Sequence, residues 1–303
     1  MDESLKVKIG RIDFENPVLV AGGTFGYGEE YSQLIDVNEL GGIVTKTVTI
    51  EPREGDLPPR LAETPCGLLN AIGLENPGVE VFLKTKLPFL QKLNTRIIVN
   101  IAGEDKEDYF RVGERLSGSK GIDGLEVNIS CPNVQRGGFI LGTDSELVFS
   151  LVKGLKNVVD FPLIVKLTPN VTDIVEIAQA AKEGGADALS LINTLLGMAI
   201  DVETGKPKLG NITGGLSGPA IKPVAVRIVW QVFQKVDLPI IGMGGIMSAE
   251  DALEFILAGA SAIAVGTANL VDPQIPLKVK EGIKEYLKKK GISSFSELIG
   301  TIN

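Results

Sequence analysis

The chain runs to 303 residues with 44% hydrophobic and 22% charged positions, 36 Gly and 16 Pro, a composition that excludes disorder and collagen-like repetition and accommodates one large α/β barrel or two domains. It has no His, which removes Ser-His-Asp triads, HExxH zinc sites and haem histidines together, and its two cysteines, Cys66 and Cys131, are too few for a four-thiolate iron-sulfur or zinc site. The net charge of -8 is the wrong sign for a general nucleic-acid or anionic-membrane surface.

The opening Met1-Asp2-Glu3-Ser4-Leu5-Lys6 lacks the basic and apolar regions of a signal peptide, and no apolar stretch reaches membrane-spanning length. A cytoplasmic, reducing location with free thiols and no membrane contact is expected. Lys6 to Phe14 alternates polar and apolar around Gly10, which predicts a small hairpin plugging the bottom of a barrel. Short apolar runs then recur, each followed by a turn and a longer amphipathic segment, the rhythm of βα units around a parallel sheet. The predicted strands are Val18 to Ala21, Ile43 to Thr45, Ile97 to Ile101, Leu125 to Ile129, Leu163 to Leu167, Ala188 to Ile192, Ile240 to Gly242 and Ala262 to Val265. Eight is the number that closes a (β/α)8 TIM barrel, so one domain over residues 1–303 is expected.

Helical patterns fill most gaps: Val79 to Leu93, Lys106 to Leu116, Ser145 to Val158, Asp173 to Glu183, Ala220 to Gln234 and Ala249 to Ala258. Asp144-Ser145-Glu146 and Ser248-Ala249-Glu250-Asp251 supply caps and first-turn acids. One αβ turn is reused, since Gly121-Ile122-Asp123, Gly185-Ala186-Asp187 and Gly259-Ala260-Ser261 each place a glycine helix stop before a strand. Val48 to Asn76 and Leu195 to Ser217 do not fit the plain barrel; as insertions after strands they belong over its C-terminal face, where active sites lie. Trp230, among Ile228, Val229, Val232 and Phe233, is expected to pack in the core, Cys66 to be a small buried filler, and Lys288-Lys289-Lys290 to be a solvated helix face.

The strand ends carry an unusual polar set: Lys46, Asn100, Asn128, Cys131, Lys166 and Asn193. Any one of them alone reads equally well as a hydrogen-bonded strand end, but six aimed at one mouth require a ligand. Gly242-Met243-Gly244-Gly245-Ile246 and Gly266-Thr267-Ala268 close the last two strands, where glycines let backbone N–H groups approach a phosphate, ordinary tight turns being the alternative. Neither stretch is GxGxxG, so a Rossmann dinucleotide site is not expected in this chain. Cys131 follows a strand and precedes Pro132. A thiol can serve as a base near neutrality, whereas Cys-His hydrolysis is excluded. Lys46 and Lys166 could stabilise charge on a bound ring or form a Schiff base.

Asn128-Ile129-Ser130-Cys131-Pro132-Asn133, Asn70-Ala71-Ile72-Gly73-Leu74-Glu75-Asn76, Lys166-Leu167-Thr168-Pro169, Ile192-Asn193-Thr194 and Gly244-Gly245-Ile246 with Gly266-Thr267 are specific, and across essentially its whole length the chain resembles the class 1 dihydroorotate dehydrogenases, most closely the NAD-linked class 1B catalytic subunits. The resemblance implies an FMN flavoprotein that oxidises dihydroorotate to orotate in de novo pyrimidine (UMP) biosynthesis, with Cys131 taking the C5 proton while hydride leaves C6 for the flavin. It assigns Lys46, Asn70, Ala71, Ile72, Gly73, Leu74, Asn128, Asn193 and Thr194 to substrate. FMN contacts fall on Ala21, Lys46, Thr47, Asn100, Asn128, Lys166, Ile192, Gly218, Gly244, Gly245, Gly266 and Thr267. Ala21 departs from a Ser frequent in relatives, so only a backbone contact survives there. Pro132 to Leu141, with Gly137-Gly138, has the glycine content of a lid. The resemblance also implies a separate electron-transfer subunit with FAD and a [2Fe-2S] cluster, two of each subunit forming a heterotetramer, and no metal in this chain. The competing readings are a fumarate-dependent class 1A enzyme, which the class 1B pattern in Gly22-Gly23-Thr24-Phe25-Gly26-Tyr27-Gly28 places second, a Schiff-base aldolase on Lys46 or Lys166, and a non-catalytic metabolite-binding barrel.

Overall fold

The computed structural model describes residues 3–129 and 141–302; segment 130–140, which holds Cys131 and most of the expected lid, lies outside the described residues. A hairpin of β1 (Val7–Ile9) and β2 (Ile12–Phe14) is followed by β3 (Val18–Val20), β4 (Gly42–Val44) and a second hairpin, β5 (Leu61–Thr64) with β6 (Gly67–Asn70). Next come α1 (Val79–Val81), a π-helical segment Phe82–Lys86, α2 (Leu87–Leu90) and β7 (Arg96–Ile101). Three units then repeat: α3 (Lys106–Leu116) to β8 (Gly124–Asn128), α4 (Ser145–Val158) to β9 (Leu163–Lys166), and α5 (Ile174–Glu183) to β10 (Ala188–Leu191). Beyond β10 lie the short strands β11 (Leu195–Gly197), β12 (Ile200–Asp201), β13 (Lys206–Pro207) and β14 (Gly214–Ser217). The chain finishes with α6 (Lys222–Phe233), β15 (Ile240–Met243), α7 (Ala249–Leu257), β16 (Ala262–Val265), α8 (Ala268–Val271) and α9 (Ile275–Lys290).

Eight strands close a barrel in the order β10-β15-β16-β3-β4-β7-β8-β9, every neighbouring pair parallel. These are the eight expected runs, each bound within one residue. Helices cover the outer face and side chains fill the interior, so nearly every strand position is buried, which is why the strands read as continuous apolar runs rather than alternating ones. The first hairpin does alternate, buried-exposed-buried in both arms. It sits against the N-terminal rim: Gly10 abuts Asp187, Ile12 presses on Gly124 and Phe14 on Gly42. The bottom of the barrel is closed as the alternation predicts.

The repeated turn has one physical origin. Gly121, Gly185 and Gly259 all adopt positive φ, at 78°, 100° and 121°. The residue two places on then donates its amide to a carbonyl in the first two residues of the previous barrel strand: Asp123 to Ile97, Asp187 to Leu163 and Ser261 to Ile240. The acids at Asp144 and Ser248-Asp251 cap as expected, Asp144 accepting from Leu147 N and Ser248 forming a capping box with Asp251.

Three expectations need correction. Val79 to Leu93 is not one α-helix but is interrupted by the π-helical segment. Trp230 is 44% exposed, because the buried stripe of α6 is Ala225, Ile228, Val229 and Val232, and Trp230 falls one step round the helix from it. Cys66 is exposed, because it forms the turn between β5 and β6 rather than filling the core. The triple lysine is the exposed end of α9.

The two insertions meet each other. Their strands form one antiparallel sheet, β11-β14-β6-β5, in which Gly215 lies opposite Asn70 and Leu216 opposite Leu69. This sheet stands over the C-terminal end of the barrel. Asn70 Nδ2 donates to the Gly215 carbonyl (3.0 Å), and Thr267 Oγ1, beyond β16, donates to Ser217 Oγ (2.8 Å). No helix among the described residues is long and apolar enough to cross a membrane.

Candidate active site at the barrel mouth

Between the strand ends and the sheet above them lies a cavity of about 560 Å3, within the range of small-molecule sites. All eight barrel strands supply it with a residue at or just beyond their C-terminal ends: Ala21, Lys46, Asn100, Asn128, Lys166, Ile192, Gly244 and Gly266. Thr47, Asn193, Thr194, Gly218, Gly245 and Thr267 join them, and Asn70, Ile72, Gly73 and Leu74 descend from the insertion. Of the predicted set, Ala71 alone among the described residues is not on this wall; it is buried beside Leu69 and Leu209. Cys131 lies outside the described residues. The strand end leading to it is anchored from behind, since Tyr109 OH donates to the Asn128 carbonyl at 2.7 Å.

The wall has a polar floor. Asn128 is paired in register with Lys166, and Lys166 with Ser190, so all three face the interior. Asn100, beside Glu126 on the next strand, accepts at Oδ1 from Thr47 Oγ1 (2.6 Å) and donates from Nδ2 to Glu126. Lys46 is more open; its Nζ lies 3.7 Å from Glu75, which Arg60 also holds at 2.7 Å. Gly73 and Leu74 both adopt positive φ (70° and 56°), a conformation strained for Leu, and this turns the loop between β6 and Asn76 into the cavity. On the opposite wall Tyr31, stacked on Phe25, donates from its hydroxyl to the Thr24 carbonyl (2.9 Å). Burial first, and Glu30 second, push its phenol above the usual range.

The implied FMN can be tested against this wall. At one end Gly244, Gly245, Gly266 and Thr267 line the cavity, and backbone N–H groups in such glycine-rich turns after strands suit an anion. A Cβ on Gly23 would meet nothing within 4 Å, and one on Gly266 only the Ala21 Cβ at 3.7 Å, so both glycines leave room on the cavity side. At the other end Lys166, Asn100 and Asn128 supply a cation and two amides for a polar heterocycle. The donor set fits a phosphate-bearing ring cofactor. No group of three or more potential metal ligands occurs among the described residues.

Sequence reasoning passed over Gly23, Tyr31, Glu75 and Ser217 as wall residues and Glu126 as the acid beneath the floor. The first four sit on insertions or the loop after β3, whose course pattern does not give. Glu126 did carry a signal, a lone acid inside the apolar run Leu125 to Ile129.

The model of the family described as dihydroorotate dehydrogenase matches residues 4–287. The chain is 57% identical over 300 residues to the dihydroorotate dehydrogenase B (NAD(+)), catalytic subunit, of Desulforamulus reducens, covering 99% of each chain. It is similar to proteins of the same description from Alkaliphilus metalliredigens, 56% identical over 299 residues, and Caldicellulosiruptor saccharolyticus, 53% identical over 300, again with 99% of each chain covered.

Proposed function

Because the chain belongs to the dihydroorotate dehydrogenase family, we propose that it oxidises (S)-dihydroorotate to orotate in de novo pyrimidine biosynthesis, as the catalytic subunit of an NAD-linked enzyme. The observation that carries this reading beyond the family match is the convergence of Lys46, Asn100, Asn128, Lys166 and Asn193 on one cavity that the glycine turns at Gly244-Gly245 and Gly266-Thr267 also line.

In this reading residues 1–303 form one FMN-binding barrel. The C5–C6 bond of the substrate becomes a double bond by loss of a proton from C5 and a hydride from C6. The C5 proton goes to the Sγ of Cys131 as thiolate, a role that rests on the sequence motif. FMN, when bound, accepts the hydride. Gly244, Gly245, Gly266 and Thr267 would hold its phosphate through backbone N–H groups, with Gly218 and Ile192 also on the wall and Ala21 offering backbone only. Lys166, Asn100 and Thr47 would bind its ring, and Lys166 would supply positive charge to the reduced form. Asn128, Asn193, Thr194 and Asn70 bind a cyclic ureide, whose ring both donates and accepts, and Lys46 binds its carboxylate with Ile72, Gly73 and Leu74 closing over the ring. The sheet above the cavity limits solvent access during transfer.

Electrons leave this chain for NAD through a second subunit, to which we assign FAD and a [2Fe-2S] cluster in an assembly of two catalytic and two electron-transfer chains, located in the cytoplasm. Two cysteines and the lack of a GxGxxG turn support a separate carrier. The test is the visible spectrum of the purified chain during anaerobic titration with dihydroorotate. A flavin spectrum that bleaches, with orotate appearing in equal amount, is expected; a colourless chain, or a flavin that dihydroorotate does not bleach, overturns the reading.

A further inference from the structure

Beneath the cavity floor sits a carboxylate that the reaction as proposed does not use. Glu126, on β8 two residues before Asn128, is 1% exposed and does not line the cavity. Burying an isolated carboxylate is costly, so its partners define its work. They come from three other strands: Asn100 Nδ2 of β7 donates to Oε2, Ser190 Oγ of β10 donates to Oε1 (2.8 Å), and Lys166 Nζ of β9 lies 3.5 Å from Oε2. The Lys166 side chain is itself 6% exposed, and Glu126 is its one carboxylate partner within ion-pair distance among the described residues. Two of the residues that face the proposed ring site, Lys166 and Asn100, are thus tied from below to one acid. The tie to Asn100 also fixes which way its amide faces, because the other end accepts from Thr47.

We infer that Glu126 is a positioning residue for the flavin site, holding the Lys166 ammonium and the Asn100 amide against the ring position. The inference rests on the proposed FMN reading. A buried ammonium stripped of its counter-ion does not stay both charged and in place, since an uncompensated charge at this depth is strongly unfavourable. Loss of Glu126 therefore acts through Lys166. That makes an unusual demand on sign. Removing a negative charge from beneath an electron acceptor raises its reduction potential if the field is all that matters; losing the anchored cation lowers it.

The experiment is a double-mutant cycle on the full chain with FMN bound, comparing wild type, Glu126→Gln, Lys166→Met and the double variant by FMN midpoint potential and FMN dissociation constant. Glu126→Gln is expected to lower the potential, in the same direction as Lys166→Met, and to weaken FMN binding about 10- to 100-fold, the size of a lost charged hydrogen bond. In the Lys166→Met background it should produce no further lowering and less than about a threefold change in binding. Among the described residues the other ionisable side chains on the cavity wall, Lys46, Glu75, Glu30 and Tyr31, are common to all four proteins and cancel in the cycle. An unchanged or raised potential in Glu126→Gln, or an equal effect in both backgrounds, overturns the inference. If Glu126→Gln alone does not fold, recovery of folded, flavin-loaded double variant supports the pairing. Failure of the double variant as well reduces Glu126 to a structural acid and overturns the inference. A wild-type chain that carries no flavin sinks the functional reading instead, before any variant is compared.

Discussion

In the proposed reaction Cys131 acts without an imidazole, since the chain has no His, so no Cys-His pair generates its thiolate. Cys131→Ala is expected to retain FMN and to slow flavin reduction by dihydroorotate about a hundred- to ten-thousand-fold, read by stopped flow. Cys131→Ser should be slow at neutrality and recover in part at high pH, because a hydroxyl deprotonates less readily than a thiol. A wild-type rate in the Ala variant removes the thiol from the reaction. The amides face the other half of the problem. Asn128→Ala and Asn193→Ala should each weaken orotate binding by about 1 to 3 kcal/mol, the cost of leaving a polar partner unmet in a closed site, and isothermal titration reads it directly. Unchanged affinity in both would take the ureide out of this cradle.

The loop after β15 shows how an element serves the site. Asp251, in the first turn of α7, accepts from Met247 N (2.9 Å) and Ser248 N (3.0 Å) and is held by Lys222 of α6 at 2.6 Å. Burial alone pushes its carboxyl up, but Lys222 and the two amides together bring it below the ordinary value of 3.8. A carboxyl lowered on folding contributes stability in full above its unfolded value and loses it as pH falls through the folded one. Urea unfolding should therefore show Asp251→Asn less stable than wild type at pH 7, with the gap closing as pH drops below 3.8. A gap that persists in acid would assign the loss to shape rather than charge. In the same loop Gly245 has φ 80°, and a Cβ there would stand 2.8 Å from the Gly218 carbonyl and from Lys222 Cβ. Gly245→Ala should cost about 1 to 3 kcal/mol and reduce FMN retention, measured by flavin content after gel filtration.

At the scale of the whole molecule, the proposed function has electrons leave this chain through another subunit. The chain alone is expected to pass electrons from dihydroorotate to artificial acceptors but not to NAD, with NAD reduction appearing when the electron-transfer subunit is added. Robust NAD reduction by the isolated chain would require a nicotinamide site above the mouth. Efficient fumarate reduction by it would move the enzyme to the self-sufficient class.

Local pattern was enough for the barrel. Eight apolar runs, the glycine stops and the caps are set by neighbours a few residues apart, and the structure places every strand within a residue of its pattern. Of the six strand-end polar residues, Lys46, Asn100, Asn128, Lys166 and Asn193 meet at the cavity for the same reason, because a parallel barrel gathers its C-terminal strand ends at one mouth; Cys131 lies outside the described residues. What pattern could not carry was pairing at a distance. Nothing near Gly67 to Asn70 announces β14 as its partner, so the sheet roofing the cavity, and with it the exposure of Cys66, is decided only when the two insertions meet. Trp230 was misplaced because apolarity does not say which side of α6 faces the barrel; the packing of Ala225, Ile228, Val229 and Val232 does. Glu126 lies between the two cases. Its place inside an apolar strand was visible, but its meaning depends on donors from three other strands, which only closure of the barrel brings within reach.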